Sequence, residues 1–131
     1  MAKVQNISMK YPHLNLKEVI KLDNQMVLTI AQDGTKRWVT NEGIRHREDG
    51  PSIEYPNGEK RWFKNDKLHR LGAPAIYGAA YEAWYLDGLC HRVDGPAQTC
   101  DGEKNWFYYG KSIKVSSQEE FEQWLKYKAF I

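Results

Sequence analysis

Short apolar runs alternate along the chain with glycine-bearing polar turns, and the three-to-four-residue period of an amphipathic helix shows at one place only. MVLTIAQDGTKRWV (26–39) places Asp33-Gly34 between two strand-like runs, and SIEYPNGEKRWF (52–63) turns at Asn57-Gly58. AIYGAAYEAWY (75–85) has a looser Gly78-Ala79-Ala80 turn, and AQTCDGEKNWFY (97–108) turns at Asp101-Gly102. Asn-Gly and Asp-Gly suit tight hairpins because both central residues tolerate positive φ. Four hairpins in series predict an antiparallel meander of about eight strands.

The hairpins are copies of one unit. Trp38, Trp62, Trp84 and Trp106 are spaced by 24, 22 and 22 residues. His46, His69 and His91 are spaced by 23 and 22, and Pro51, Pro74 and Pro96 repeat those steps. Two independent rulers therefore agree, apart from one extra residue in VTNEGIRH against FKNDKLH and YLDGLCH. NEGIRHREDGP, NDKLHRLGAP and LDGLCHRVDGP read as loops connecting one hairpin to the next, with Gly allowing unusual backbone angles and Pro ending the loop without a ladder donor. Within them the expected bonds are local, imidazole to a backbone carbonyl and guanidinium to Asp49 or Asp94.

The ends break the pattern. SSQEEFEQWLKYKAF carries a capping box, Ser117 with Glu120, and an apolar stripe of Phe121, Trp124 and Leu125, which predicts a helix covering the last hairpin. LNLKEVIKL reads either as a short helix or as a strand, in which case VIKLDNQMVLTI forms a fifth hairpin turning at Asp23-Asn24. One domain over 1–131 is expected, with a cap segment at 1–25, tandem hairpins at 26–112 and the helix at 113–131.

Composition adds little that is specific. At 41% hydrophobic and 27% charged the chain is globular, and a net charge of +2 is too small to imply nucleic acid. Aromatics are abundant, with five Trp and eight Tyr, and favour strands and interfaces. Cys90 and Cys100 give neither a disulfide framework nor paired metal-ligand spacing and are expected as free thiols, with a disulfide as the lesser reading. The first twenty residues lack the apolar run of a signal peptide and no stretch approaches membrane-spanning length, so a soluble cytoplasmic protein without membrane contact is expected.

The pattern W-x-x-x-G-x-x-H-R-x-D-G-P, followed by a turn and another Trp, resembles MORN repeats. It is most similar to the HR-x-DGPA variant of tailed-bacteriophage proteins. The residues that carry the resemblance begin with Trp38, His46, Arg47, Asp49, Gly50 and Pro51, and continue with Trp62, His69, Arg70 and Pro74. Trp84, Gly88, His91, Arg92, Asp94, Gly95, Pro96 and Ala97 complete the set. The second unit departs, with Gly72 and Ala73 where Asp and Gly would stand. The resemblance implies a curved, mostly β, single-layer sheet with a viral origin, acting as an interaction scaffold.

Chemistry by the repeated histidines is disfavoured by spacing. With two strands per repeat at about 4.8 Å each, equivalent residues recur at roughly 9–10 Å. Zinc needs ligand atoms at about 2.0–2.1 Å, so neighbouring copies cannot share one ion, and no metal site is expected. The second copy lacks the aspartate a His-Arg-Asp site would need, and no phosphate loop, nucleophile elbow or HExxH motif occurs, so neither an enzyme nor a cofactor is expected. Glu42, Glu48, Asp49, Glu119 and Glu120 read as ordinary surface carboxylates, while His13 and Tyr11 have no evident role.

Alternation assigns the faces: Trp38, Trp62, Trp84 and Trp106 with Lys36, Lys60, Glu82 and Lys104 on one, Arg37, Arg61, Phe63 and Tyr85 on the other. Either these rings stack as a spine under Lys and Arg stems, or they form an exposed aromatic and basic docking face. The leading expectation is a non-enzymatic protein that binds, and if phage-encoded inhibits, a host defence or nucleic-acid enzyme. The alternative is a nucleotide or nucleic-acid binder using Lys36, Arg37, Lys60 and Arg61 beside Trp38 and Trp62. Attachment to acidic lipid lacks the polybasic run it requires.

Overall fold

The computed structural model of the chain describes residues 15–130. His13 and Tyr11 lie outside them. Strands β1 (Leu16–Lys21), β2 (Met26–Ala31), β3 (Lys36–Thr40), β4 (Ile53–Glu54) and β5 (Lys60–Arg61) pair in chain order. The chain then leaves the sheet for a side hairpin, β6 (Phe63–Lys64) with β7 (Lys67–Leu68), and returns through β8 (Ile76–Tyr77) and β9 (Tyr81–Ala83). A second side hairpin, β10 (Tyr85–Leu86) with β11 (Leu89–Cys90), precedes β12 (Gln98–Cys100), β13 (Glu103–Tyr108) and β14 (Lys111–Ile113). Among the described residues the result is a ten-stranded antiparallel meander with two small hairpins beside it and one helix, α1 (Gln118–Lys128), at its end. A mostly β array with a capping helix is the fold that the patterning predicts.

The described residues form fourteen strands where eight are expected: β1, the four strands of the side hairpins and β14 are added. The described part of LNLKEVIKL takes its strand reading, Leu16–Lys21 becoming β1, and turns at Asn24-Gln25 (φ 60° and 61°), one residue later than Asp23-Asn24. The stretches read as connecting loops also begin with hairpins of their own. Their tips, Asn65-Asp66 (φ 48°, 68°) and Asp87-Gly88 (φ 46°, 83°), have the paired positive φ of two-residue turns, as do Tyr109-Gly110 (φ 43°, 84°) between β13 and β14. Asn65-Asp66 has no glycine to announce it. Conversely, at Asp33-Gly34 and Asn57-Gly58 only the glycine has positive φ. These are three-residue loops, closed by Gly34 N–H to Ala31 O (2.9 Å) and Gly58 N–H to Tyr55 O (3.0 Å). The extra residue of the first repeat lies in its side turn, where Thr40 N–H meets Ile44 O across Asn41-Glu42-Gly43.

Apolar clusters sit at the two ends of the array. Val27 and Val39 pack with Val19 at one end, and Trp106, Ile113 and Phe121 with Tyr108, Val115, Trp124 and Leu125 at the other. Between them the residue after each loop proline is fully buried: Ser52, Ala75 and Ala97, all at 0% exposure. Small side chains are needed there because the preceding strand lies directly against them, with Trp38, Trp62 and Trp84 each donating a backbone N–H to their carbonyls (2.7–2.8 Å). Ser52 keeps its hydroxyl satisfied by exchanging bonds with Phe63 O (2.9 Å) and Phe63 N–H (3.1 Å).

The helix is shorter than 113–131, because Ile113 belongs to β14 and the first turn is capped only at Ser117. Ser117 is its N-cap, accepting from Glu120 N–H at 3.2 Å. The Glu120 carboxylate reaches back to Ser116, taking both its N–H (3.1 Å) and its hydroxyl (3.0 Å). Phe121 is its fully buried residue, and no helix among the described residues is long and apolar enough to cross a membrane.

Candidate functional site

Each HRx(D)GP loop folds its arginine back over the tryptophan of its own repeat. The guanidinium carbon lies 3.8 Å from the ring centroid for Arg47 over Trp38, 3.7 Å for Arg70 over Trp62 and 3.8 Å for Arg92 over Trp84. Each guanidinium also donates to the loop proline's carbonyl, Pro51 (3.1 Å), Pro74 (3.1 Å) and Pro96 (3.3 Å). Arg47 and Arg92 donate a further bond to Asp49 (3.0 Å) and Asp94 (2.8 Å), as the spacing predicts. That bond to Arg92 holds the Asp94 carboxyl below its ordinary pKa. The glycine of the motif leaves room for the arginine as it lies in these two copies: a Cβ at Gly95 would stand 2.6 Å from Arg92 Cζ, and at Gly50 2.9 Å from Arg47 Cζ, so the guanidinium would have to shift. The second copy has Ala73 in that place and no aspartate, yet Arg70 keeps its stack.

The histidines do something the sequence reading missed. They do not bond a carbonyl; Nδ1 accepts a backbone N–H from the side-turn tip of the next repeat. His46 receives Asn65 N–H (3.1 Å), His69 receives Asp87 N–H (3.0 Å) and His91 receives Tyr109 N–H (2.9 Å). The following tip N–H goes to a carbonyl of the same preceding repeat: Asp66 to Arg45, Gly88 to Leu68 and Gly110 to Cys90, at 2.7–2.9 Å. An unprotonated Nδ1 is the only acceptor a neutral imidazole has, so Nε2 carries the proton, and in His46 it donates to Glu48 at 2.6 Å. His91 is the most enclosed, stacked on Tyr109 at 3.8 Å between centroids, and burial lowers its pKa. Burial likewise raises the Cys90 thiol to about 11; Cys90 and the exposed Cys100 are both free.

The fourth tryptophan is closed differently. Ile113 stands opposite Trp106, where a histidine stands in the other units, and packs under Phe121. Trp106 Nε1–H donates to Gln118 at 2.8 Å, and Gln118 in turn donates to Val93 O at 3.0 Å.

These joints decide which expected docking residues are reachable. Trp106 and Phe63 are buried, at 5% and 6% exposure. Trp38, Trp62 and Trp84 are half-buried, each with one ring face under its arginine, and Tyr85 is half-buried. Lys36 and Lys60 are exposed; Arg37 and Arg61 are half-buried, with Arg61 held by Glu59 at 2.9 Å. Register places Lys36, Glu54, Lys60, Tyr77, Glu82, Thr99 and Lys104 in one row across the sheet. Basic side chains there alternate with carboxylates. Tyr77 is the exposed aromatic of that row, and exposed Leu71, Leu89, Val93 and Tyr109 lie off it. Leu71 and Val93 hold the variable place in HRx(D)GP, a signal legible once the motif is known to be structural.

A groove of about 780 Å³ opens at the start of the array, between the β1–β2 turn (Leu22, Asp23, Asn24, Met26) and His46–Asp49, with Trp38 in its wall. A shallower hollow of about 360 Å³ lies between the Gly78–Glu82 turn and Thr99, Asp101 and Gly102. Among the described residues no three His, Cys, Asp or Glu side chains are grouped to hold a metal ion. In comparisons with known proteins the chain matches no family model, no curated protein and no solved structure.

Proposed function

We propose that the protein is a non-enzymatic interaction protein that docks a protein partner on the surface of its hairpin array. The observation that carries this reading is how the repeated polar groups are spent. In all three HRx(D)GP copies the imidazole and guanidinium are bonded within the fold, while Leu71, Tyr77, Leu89, Val93 and Tyr109 remain on the surface. A motif so fully engaged has nothing left for a substrate, and exposed aromatic and aliphatic side chains on a rigid scaffold are what interfaces use.

The MORN-like resemblance extends the proposal to a phage-encoded inhibitor of a host defence or nucleic-acid enzyme, working in the host cytoplasm. The nucleotide or nucleic-acid alternative gains no support: one face of each of Trp38 and Trp62 is already taken by Arg47 or Arg70, and Glu54 stands between Lys36 and Lys60. The test is affinity capture from nuclease-treated host lysate with the full chain as bait. A stoichiometric protein partner, lost when Tyr77 and Leu71 are changed to Ser, is the expected result. Capture that disappears with nuclease would transfer the function to nucleic acid.

A further inference from the structure

The groove at the first repeat differs from the rest of the surface in shape and in charge. Its walls are apolar, from Leu22, Met26 and the ring of Trp38. Its rim carries three carboxylates, Asp23, Glu48 and Asp49, against one guanidinium, Arg47, already turned down onto Trp38. Among the described residues the Asp23 carboxylate has no hydrogen-bond or ion-pair partner; Glu48 is bonded to His46 and Asp49 to Arg47, yet their side chains remain 81% and 86% exposed to a further cation. The volume, about 780 Å³, lies within the roughly 300–1,000 Å³ of pockets that hold ligands.

The later repeats are not built this way. At the variable position of the motif they carry Leu71 and Val93 where the first carries Glu48, and the second has Gly72 where the first has Asp49. The flanking wall is also specific to this end, since the β1–β2 turn precedes the first HRx(D)GP copy and has no such motif of its own. A surface carboxylate added at the one copy that faces an apolar trench is a selective feature of the array.

We infer that this groove is the docking site for a basic segment of the partner protein, whose lysine or arginine side chains pair with Asp23, Glu48 and Asp49 while their aliphatic stems and neighbours lie against Leu22, Met26 and Trp38. The inference rests on the protein-binding reading and gives that partner a chemistry. Charge complementarity selects it: an acidic segment would meet a net negative rim, and an uncharged one would leave Asp23 desolvated without a partner. The aromatic wall suits the long apolar stems of Lys and Arg.

The experiment is a titration of the full, ¹⁵N-labelled chain with a blocked lysine–leucine octapeptide, its glutamate–leucine counterpart and spermidine. The lysine peptide should shift the amides of Leu22–Met26 and Trp38 and those of His46–Asp49, and should bind more weakly at 300 mM than at 20 mM salt. The variant Asp23→Asn/Glu48→Gln, whose amides retain hydrogen-bonding capacity toward His46, should lower its affinity about fivefold, and Asp101→Asn/Glu103→Gln should not. Shifts spread over the sheet, an equal response to the glutamate peptide, or an unchanged affinity in the variant would overturn the inference. Spermidine binding there as tightly as the peptide would replace a protein partner with a polyamine. In the capture experiment, a partner retained by Asp23→Asn/Glu48→Gln but lost on changing Tyr77 and Leu71 would remove the groove and leave the wider proposal standing.

Discussion

Trp38, Trp62 and Trp84 sit in joints closed by polar groups, and Trp106 in a joint closed by apolar ones. In the first three an arginine covers the ring and a histidine pins the next turn. In the fourth Ile113 takes the histidine's place and the helix supplies Gln118 and Phe121. The difference follows from what comes next in the chain. A repeat with a successor has to accept two backbone N–H groups, one on a carbonyl and one on a side-chain nitrogen that Ile lacks; the last repeat has no such turn to receive and shields a hydrophobic end instead. The array therefore ends where the motif after the tryptophan is lost, and there β13 runs unbroken through Trp106 towards β14 where the middle repeats break at Trp62 and Trp84.

Removing the apolar closure should cost most. Phe121→Ala, at a site with 0% exposure, is expected to destabilise the protein by about 3–5 kcal/mol in urea unfolding and to free Trp106 fluorescence to quenching by iodide. A cost below about 1 kcal/mol would mean the helix is an appendage and the comparison is empty. Next is His91→Ala, which leaves Tyr109 N–H without its acceptor and should cost about 1–3 kcal/mol, with faster hydrogen exchange at Tyr109 as its local signature.

The same joint should be sensitive to acid. Burial lowers the His91 pKa, so the folded state favours the neutral ring. Its contribution is complete above the unfolded histidine value of about 6.5 and is lost as the pH falls from there through the lower folded value. Melting temperature should drop between pH 7.5 and 5, and His91→Ala should flatten part of that slope. Ile113 titrates nothing, so the helix-capped joint should hold over the same range.

Gly95→Ala should cost about 1 kcal/mol, because the new Cβ would shift a guanidinium held by Trp84, Asp94 and Pro96, an adjustment the second copy makes room for with Ala73 beside a stacked Arg70. Asp94→Asn should be the mildest, within about 1 kcal/mol, since the carboxylate is on the surface and the second copy works without one. If Asp94→Asn proved costlier than Gly95→Ala, the arginine would be held by its ion pair and not by its stack.

Much of this fold was legible beforehand because the repeat spacing and the turn glycines are local facts. The Arg47–Asp49 and Arg92–Asp94 bonds were legible for the same reason, being two residues apart in sequence. The side turns were not, since Asn65-Asp66 and Tyr109-Gly110 do not look like hairpin tips, and their positive φ is stabilised by bonds to the preceding repeat. Nor was the burial of Trp106, which depends on a helix that follows it by a dozen residues. The groove escaped notice because Glu48 and Asp49 look ordinary until Leu22, Met26 and Trp38 are seen to face them.

Taken alone, the order of residues settled the periodicity, the hairpins with glycine turns, the terminal helix and the motif that would be copied. Those depend on backbone preferences that act over a few neighbours. The partner of each imidazole, the lid on each indole and the surface left over depended on stacking one repeat against the next. Residues some twenty positions apart become neighbours only when strands about 4.8 Å apart are laid side by side, and no local preference records that contact.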